Sequence, residues 1–305
     1  MGWAGIAGTG ALLGALGAGL YLTVLTGSPG ALILVYLAQL PLFVAGLWLG
    51  IGAATTAALT ASAVLLAAGG IIAAALFAGL YAAPVVLLVR QALLARNGPE
   101  GAVEWYPPGL LTAWLTGLGL AAFAVALLFF GGPSGIESVL RESLTPAVDR
   151  FVDASEVNRD ALVEGIARVV PGVVAASWMV MTASAAMLAQ GILARFGASW
   201  RPSPDLAALT LPLWVSVVFG VAAAAAAIGG TAGFLAVNVM IVLAIPFCLA
   251  GLAVLHTAVR RLRRPQVPLV GFYVLAGLFG WPLLVIAVVG LLDALFGLRR
   301  RFVQP

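Results

Sequence analysis

The residue types that carry most enzyme chemistry are scarce in this chain. There is one cysteine, Cys248, and one histidine, His256. Structural zinc sites, a disulfide framework and Cys–His catalysis are therefore excluded within a single chain. Lysine is missing altogether, so the sequence holds neither a P-loop lysine nor a lysine for Schiff-base chemistry. We expect no catalytic residue, no metal site and no cofactor, and we do not expect an enzyme.

Strongly polar residues inside apolar runs are the remaining candidates for a site. In a bilayer such groups usually face the interior of a helix bundle, where they line a pathway or form interhelical hydrogen bonds. Gln39 lies two residues before Pro41, which breaks a helical pattern. Two interpretations stay open for these residues, a ligand-lining role and helix association. The set comprises Gln39, Gln190, Asn238 and His256.

The elements that must hold these residues are membrane helices. Of the 305 residues, 63% are hydrophobic and 9% are charged, against about 25% charged in soluble domains. The first charged residue is Arg90, and a soluble domain cannot wet the surface of so long an uncharged stretch. Apolar segments of about 20 residues span the hydrocarbon core of a bilayer. The sequence therefore predicts an all-α, polytopic transmembrane bundle that forms one membrane domain over 1–305.

The apolar segments number about nine, within a range of eight to ten. The last segment leaves two arrangements open: a single crossing, or a hairpin broken at "FGWPLL" whose arms are about 15 residues each, short for a core of about 30 Å. Turn residues separate most of the segments. The segments are 4–27, 30–50, 52–69, 71–95, 107–131, 168–194, 206–229, 232–258 and 267–297.

Arginine placement predicts the orientation. The loops 90–104, 195–205 and 259–266 are basic, whereas the segment 132–166 carries seven acidic residues and three arginines. The positive-inside rule places the basic loops in the cytoplasm and the acidic segment outside. We therefore expect a multi-pass protein of the bacterial inner membrane with a cytoplasmic N-terminus. The basic pI of about 9.8 reflects this topology and not nucleic-acid binding.

The segment 132–166 predicts an amphipathic extracytoplasmic helical insertion. Ser134 and Glu137 have the spacing of a capping box, and apolar residues recur at helical spacing after them. Pro146 is expected to interrupt the helix, after which the pattern restarts. The insertion either lies on the outer membrane face or forms a docking surface for an external partner.

The stretch "GASWRPSPDLAAL" forms a polar break between two apolar runs. Ser203 is expected to cap a helix that starts at Pro204, with Asp205 in its first turn. The tryptophan of this stretch suits an interfacial belt, and Arg201 suits cytoplasmic headgroups. The stretch is read as a hinge between helices, with contact to a partner as the alternative for Arg201 and Asp205.

Other interfacial clusters show the same ambiguity between anchoring and contact. In "VEWYPPG", Glu104, Trp105 and Tyr106 are expected to anchor the chain at headgroup level. His256 lies one turn before an arginine cluster, which favours an interfacial position. Asp293 either neutralises the arginines beyond Gly297 or acts as a coupling site. Glycines in "GTGALLGALGAG" and "GLWLG", the latter with Gly46 and Gly50, have spacings that allow close helix packing.

Several stretches together resemble the YybS-like bacterial membrane proteins of unknown function, particularly their alphaproteobacterial branch. The stretches are "GSPGALILVYLAQLPLFVAGLWLG", "EWYPPG", "RPSPDLAALTLP", "GLAVLH" and "GWPLLVIAVVGLLDALFGLRRR". They lie in order and cover nearly the whole chain.

This resemblance implies a distant similarity to the substrate-binding S-components of energy-coupling-factor transporters. In those proteins a proline-broken helix precedes closely packed glycines, a pattern matched by Pro41, Gly46 and Gly50. Such a subunit would bind an unidentified micronutrient with Gln39, Trp48 and Asn238 lining the pocket, and it would need a separate ATPase module. The alternative is a non-transporting scaffold or regulatory protein of the envelope, acting through its external helices and basic loops.

Overall fold

The computed structural model of the chain describes residues 2–98, 101–151, 159–260 and 262–299. These residues are almost entirely helical, and six of the helices are long and apolar enough to cross a membrane. The all-α fold predicted from the sequence is therefore confirmed, and the six apolar helices are compatible with a multi-pass membrane protein. Contacts divide the chain into two compact units: unit 1 comprises Met1–Leu115 and Val180–Asp205, and unit 2 comprises Thr116–Met179 and Leu206–Pro305.

Two helices of the chain contribute to both units, and short π and 3₁₀ segments join several of the others. A π-helix links α4 to α5 at Ala78–Ala82, and a 3₁₀ turn follows α1 at Thr23–Thr26. The helices are α1 (Trp3–Leu22), α2 (Pro29–Tyr36), α3 (Leu40–Leu49), α4 (Ile51–Phe77), α5 (Ala83–Ala92), α6 (Pro108–Phe129), α7 (Pro133–Phe151), α8 (Arg159–Arg195), α9 (Leu213–Ala226), α10 (Gly230–Val259), α11 (Gln266–Phe279) and α12 (Trp281–Phe296).

Glycines let α1 pack directly on α4 in unit 1. A Cβ added at Gly10 would lie 2.9 Å from the carbonyl oxygen of Ala53, and one at Gly14 would overlap the backbone of Ala57. Only glycine allows the backbones to approach this closely, as the GxxxG spacing predicts. The contacts advance together along both helices, so α1 runs parallel to the first part of α4.

Unit 1 reverses direction twice at single glycines. Gly50 joins α3 to α4 with φ +93°, and Gly70 interrupts α4 with φ +80°. A Cβ at Gly46 would lie within 2.7 Å of Val89 and 2.9 Å of Ala54. If the chain from Ile51 to Ala92 were one straight helix, Ala54 and Val89 would be about 52 Å apart at 1.5 Å per residue. The run from Ile51 to Ala92 is therefore a hairpin of two helices, as the separate segments 52–69 and 71–95 predict.

A two-stranded hairpin closes the loop after α5. Strand β1 (Ala95–Asn97) pairs with β2 (Val103–Trp105) in antiparallel register. The exposed side chains of Arg96 and Glu104 form an ion pair across it, with the two charged groups 2.7 Å apart. The sequence predicted a loop over 90–104 and no strands, because the strands are only three residues long and lack an alternating apolar pattern.

Close packing of α10 on α12 forms the centre of unit 2. A Cβ at Gly251 would overlap the carbonyl oxygen of Ile286, and one at Gly290 would overlap that of Phe247. Beside this contact, Leu243 and Phe247 of α10 and Val215 of α9 are fully buried. The two glycines are therefore required for the helices to meet.

Helices α11 and α12 form a short hairpin. The start of α11 and the end of α12 lie at the same end of unit 2. The rings of His256 and Tyr273 lie 6.2 Å apart, so α11 runs back along α10. Gly280 (φ +70°) then turns the chain into α12. Beyond α12, the guanidinium of Arg299 binds the carbonyl oxygen of Leu209, which packs against the last third of α10. The geometry matches the broken hairpin, one of the two arrangements that the sequence left open.

Three local expectations were wrong. Helix α9 begins at Leu213, not at Pro204, because Pro212 has no N–H to donate and forces the chain before it out of helical geometry. Helix α7 begins at Pro133, so Ser134 lies in its first turn and is not the cap residue. Pro146 lies within the continuous helix α7.

Candidate functional site

The loop after α8 folds onto unit 1 through a buried arginine. Arg201 is only 5% exposed. Its guanidinium donates hydrogen bonds to the carbonyl oxygen of Ala92 at 3.0 Å and to that of Tyr106 at 2.9 Å. The side chain of Gln190 in α8 donates to the carbonyl oxygen of Arg201 itself at 2.9 Å. One side chain thus joins the ends of α5, the β-hairpin and the loop.

The charge of Arg201 is balanced by peptide dipoles. Ala92 is the last residue of α5, where unpaired carbonyl groups carry partial negative charge. Burial lowers the pKa of Arg201 from its ordinary value, yet an arginine keeps its proton in proteins. The guanidinium is therefore a cap for α5. This burial differs from the expected exposure to headgroups.

The capped loop presents Trp200 at the surface between two cavities. Trp200 is 62% exposed. The cavity on one side has a volume of about 510 Å³ and is lined by Ile6, Trp48, Leu49 and the loop residues 197–200. We call it the Trp48 cavity. It brings a residue that the resemblance proposed for ligand binding next to the loop that the sequence treated as a hinge.

The cavity on the other side of Trp200 has a volume of about 430 Å³, and we call it the Arg90 cavity. Arg90 is the single charged residue among its described lining residues, and Thr56 already donates its hydroxyl hydrogen to the carbonyl oxygen of Gly52 at 2.9 Å. The walls are otherwise apolar or aromatic. The lining residues are Trp3, Ile6, Ala7, Leu49, Gly50, Ile51, Gly52, Thr56, Arg90, Leu93, Leu94 and Trp200.

Both cavities lie where the N-terminal part of α1 meets the end of α3, and the end of α5 lines the Arg90 cavity as well. Gly50 makes this turn with a positive φ, and a Cβ there would lie 3.6 Å from the indole of Trp200. This is also the end of unit 1 that carries the basic loops. The cavities can accommodate a small molecule of mixed apolar and polar character.

No protein-family model, curated protein or solved structure matches this chain. The resemblance to YybS-like membrane proteins therefore stays a prediction. Any function must be argued from the geometry of the described residues.

Gln39 lies away from both cavities, at the break between α2 and α3. It is fully buried, and its Nε2 donates to the carbonyl oxygen of Leu80 at 3.3 Å, while its Oε1 has no hydrogen-bond partner among the described residues. Pro41 is the second residue of α3. Trp48 follows Gln39 by nine positions, about 14 Å along a helix. The structure therefore does not bring Gln39 and Trp48 to the same place.

Asn238 is a fully buried connection between α10 and α8 in unit 2. Its Oδ1 accepts the backbone N–H of Gly172 at 2.5 Å, and its Nδ2 donates to the carbonyl oxygens of Arg168 at 2.9 Å and Phe234 at 2.8 Å. Both amide hydrogens are thus used. The geometry corresponds to the interhelical interpretation, and Asn238 lines neither cavity.

The interfacial residues of the loop 101–107 are tied to unit 1. Glu104 pairs with Arg96, and the hydroxyl of Tyr106 accepts a hydrogen bond from Trp114 Nε1 at 3.0 Å. Trp105 is partly buried in β2. A contact of these residues with a partner protein stays a prediction.

Asp293 forms a buried ion pair with Arg299 beyond α12. Its carboxylate accepts from the Arg299 backbone N–H at 2.9 Å and from Nε at 2.8 Å. Arg299 also donates to the carbonyl oxygens of Ala207 and Leu209. This is the neutralisation across Gly297 that the sequence offered for Asp293.

His256 Nδ1 lies 2.8 Å from the carbonyl oxygen of Leu252, and Asp205 lies in the irregular stretch before the 3₁₀ turn Leu206–Ala208.

Sequence reasoning missed Arg90 and Trp3 as cavity residues and assigned Trp200 only to an interfacial belt. A tryptophan or arginine at the end of an apolar segment is typical of any interfacial belt, so no pattern in the sequence indicates that three such ends converge. Among the described residues, no group of three His, Cys, Asp or Glu side chains could hold a metal ion.

Proposed function

We propose that this protein is a multi-pass inner-membrane subunit that binds a small molecule between Trp48 and Trp200. The observation that carries the proposal is the pair of cavities around Trp200, which together combine aromatic walls with one charged side chain. Indole rings supply large contact areas and stay at the membrane interface. The proposal keeps Trp48 in the ligand site and assigns Gln39 and Asn238 to helix association.

The proposed topology has eight crossings and one broken hairpin. The crossings are α1, α2 with α3, the two halves of the 51–92 hairpin, α6, α8, α9 and α10, and the last hairpin enters and leaves on one side. With a cytoplasmic N-terminus, the loops 90–104, 195–205 and 259–266 and the end of α12 all lie in the cytoplasm. This agrees with the positive-inside rule, and it makes both cavities open toward the cytoplasm.

The absence of lysine supports a subunit that depends on another protein for energy. A P-loop ATPase requires a lysine at the phosphates, and the chain contains none. An S-component-like subunit with a separate ATPase module fits this composition. That module would contact the cytoplasmic face, on which the cavities open.

Ligand binding is tested by the thermal unfolding of the purified protein in a neutral detergent against a panel of vitamins and related metabolites. We expect one class to raise the Tm, because a ligand that binds only the folded state stabilises it. Trp48→Phe and Trp200→Phe should weaken the shift, whereas Trp214→Phe in unit 2 serves as the control. A panel without any shift, together with failure to recover an ATPase by co-purification, would contradict the proposal.

The envelope scaffold is the less supported alternative. Its external surface would be α7 and the start of α8, yet charges there pair with each other. Arg141 lies 3.7 Å from Glu164, and Arg159 lies 3.2 Å from Asp149. Deletion of 134–166 should remove bound partners if the scaffold role is real, and an unchanged set of partners would eliminate it.

A further inference from the structure

We infer that the Arg90 cavity binds an amphipathic anion, with its carboxylate or phosphate group against Arg90 and its apolar part along Trp3 and Trp200. This inference rests on the proposed function, because it names the class of ligand for the same site. The ligand is a molecule with one compact negative group and a hydrocarbon or aromatic body.

The Arg90 cavity carries a positive charge at its rim. Arg90 lines the cavity at the end of α5 and makes no ion pair with any described residue. The described acid of the neighbouring hairpin, Glu104, is already bound to Arg96 at 2.7 Å. An arginine presents a planar fork of N–H donors that matches a carboxylate or phosphate in two parallel hydrogen bonds. Among the described residues, the cavity therefore offers a cation without an acidic counterion.

The described walls of the Arg90 cavity carry no negative charge. No carboxylate is found among the described lining residues, and the sole polar side chain besides Arg90 is that of Thr56. A cationic or zwitterionic ligand would find no acidic partner for its positive group there. An anion gains charge-assisted hydrogen bonds from the exposed guanidinium of Arg90 at the rim of the cavity.

The Arg90 cavity also has a large apolar wall beside the charge of Arg90. Trp3 and Trp200 are 86% and 62% exposed, although both are large and apolar. Ile6, Leu49 and Leu93 complete the same wall. Covering this exposed apolar area with an apolar ligand body is favourable. A purely inorganic anion would leave this surface uncovered, so the ligand requires an apolar body as well.

Two sources can supply this chemistry. One is the headgroup region of an anionic phospholipid whose chains lie in the surrounding bilayer. The other is a free amphipathic anion taken from the cytoplasm. Both place a phosphate or carboxylate at Arg90 and hydrocarbon against the indoles, and the experiment separates them.

The test measures binding of octyl phosphate to the full-length protein in a neutral detergent, using tryptophan fluorescence and thermal unfolding. Octyl glucoside, which has the same chain and no charge, is the neutral comparison. A second arm compares the Tm in nanodiscs of phosphatidylcholine with that in nanodiscs containing phosphatidylglycerol. The variants are Arg90→Gln and, as a control of equal charge change at the same end of unit 1, Arg195→Gln.

We expect Arg90→Gln to weaken octyl phosphate binding about tenfold, the scale of one lost charge-assisted contact, and Arg195→Gln to leave it unchanged. A phosphatidylglycerol response that Arg90→Gln abolishes, without octyl phosphate binding, identifies the lipid as the ligand. Octyl phosphate binding without a lipid response identifies a free anion.

Equal losses in both arginine variants would show general surface attraction and overturn the inference. If octyl glucoside binds as well as octyl phosphate and Trp200→Phe weakens both, the inference fails while the proposed function survives. If no probe binds and Trp200→Phe changes nothing, both fail. Arg90→Lys, which keeps the charge and loses the fork, should retain part of the binding.

Discussion

The side-chain amide of Gln39 donates a hydrogen bond to the carbonyl oxygen of Leu80, 3.3 Å away. Leu80 precedes Pro84 by four positions, the spacing at which a helical N–H would bond that carbonyl. Pro84 has no N–H, and the chain widens into a π-helix at Ala78–Ala82. Gln39 therefore donates to the backbone of another helix beside its proline, which gives a polar residue that is fully buried in an apolar run a hydrogen-bond partner.

We expect the cost of Gln39→Leu to depend on Pro84. In the native chain the substitution removes a donor from the Leu80 carbonyl, whereas in Pro84→Ala the backbone of residue 84 supplies one. The cost of Gln39→Leu should therefore be smaller by about 1 kcal/mol in the Pro84→Ala background, the typical net value of one hydrogen bond. A double-mutant cycle on the free energy of unfolding measures this coupling. Pro246→Ala in unit 2 is the control background, and equal costs in all three backgrounds would contradict the account.

Gly172→Ala should lower stability more than any other glycine substitution in α8. A Cβ at Gly172 would lie 2.8 Å from Asn238 Oδ1 and 2.9 Å from the backbone of α10, so the helices must separate and the amide loses its partners. We expect a loss of roughly 2 kcal/mol, as for overpacking with a broken hydrogen bond. Gly165→Ala, where a Cβ meets nothing within 4 Å, should keep or raise the Tm because alanine favours helix. Equal Tm values for the two variants would show that Asn238 does not hold α8 to α10.

Arg201→Gln should destabilise unit 1 by roughly 2 kcal/mol. The variant loses two charge-assisted hydrogen bonds and the cap of α5, and Arg195→Gln at the exposed end of α8 should have little effect. Burial lowers the pKa of Arg201, which penalises its charged form in the folded state. Because both folded and unfolded pKa values lie far above neutrality, this contribution is constant from pH 5 to 9. A difference between Arg201→Gln and the native protein that varies across this range would exclude the cap as its cause.

Asp293→Asn should release the end of α12. The pair with Arg299 is almost completely buried, with side chains 3% and 11% exposed, and removing one partner leaves the other charge uncompensated. We expect a loss of about 3 kcal/mol and faster tryptic cleavage after the C-terminal arginines. The double variant Asp293→Asn/Arg299→Gln should recover part of the stability because no buried charge remains. A double variant less stable than Asp293→Asn alone would rule out this mechanism.

Much of the architecture could be predicted from hydropathy and turn residues. Gly70 illustrates this, because the double glycine separates two apolar segments at the residue where the chain reverses. Pro212 shows the limit: the signals at Ser203 and Pro204 are those of a helix start, yet a second proline eight residues later prevents that helix. Local start signals carry no information about what the chain further on permits.

The candidate site was less predictable for a related reason. Trp48 was named through a resemblance, while Arg90 and Trp3 belong to segment ends whose convergence is a property of packing. Gln39 and Asn238 were recognised as unusual, but a buried amide has the same appearance in sequence whether it binds a ligand or another helix. Their partners, Leu80 and Gly172, are backbone groups, which no side-chain pattern reveals.

The reversals at Gly50 and Gly70 have a practical consequence for mapping this protein. Each reversal consists of one residue, which is too short a loop for cleavage by a protease or for attachment of a chemical label. An epitope tag inserted at Gly50 would separate Gly46 from Ala54, which pack closely across this turn. Orientation should therefore be mapped at the hairpin around Asn97, where the residues of β1 are exposed.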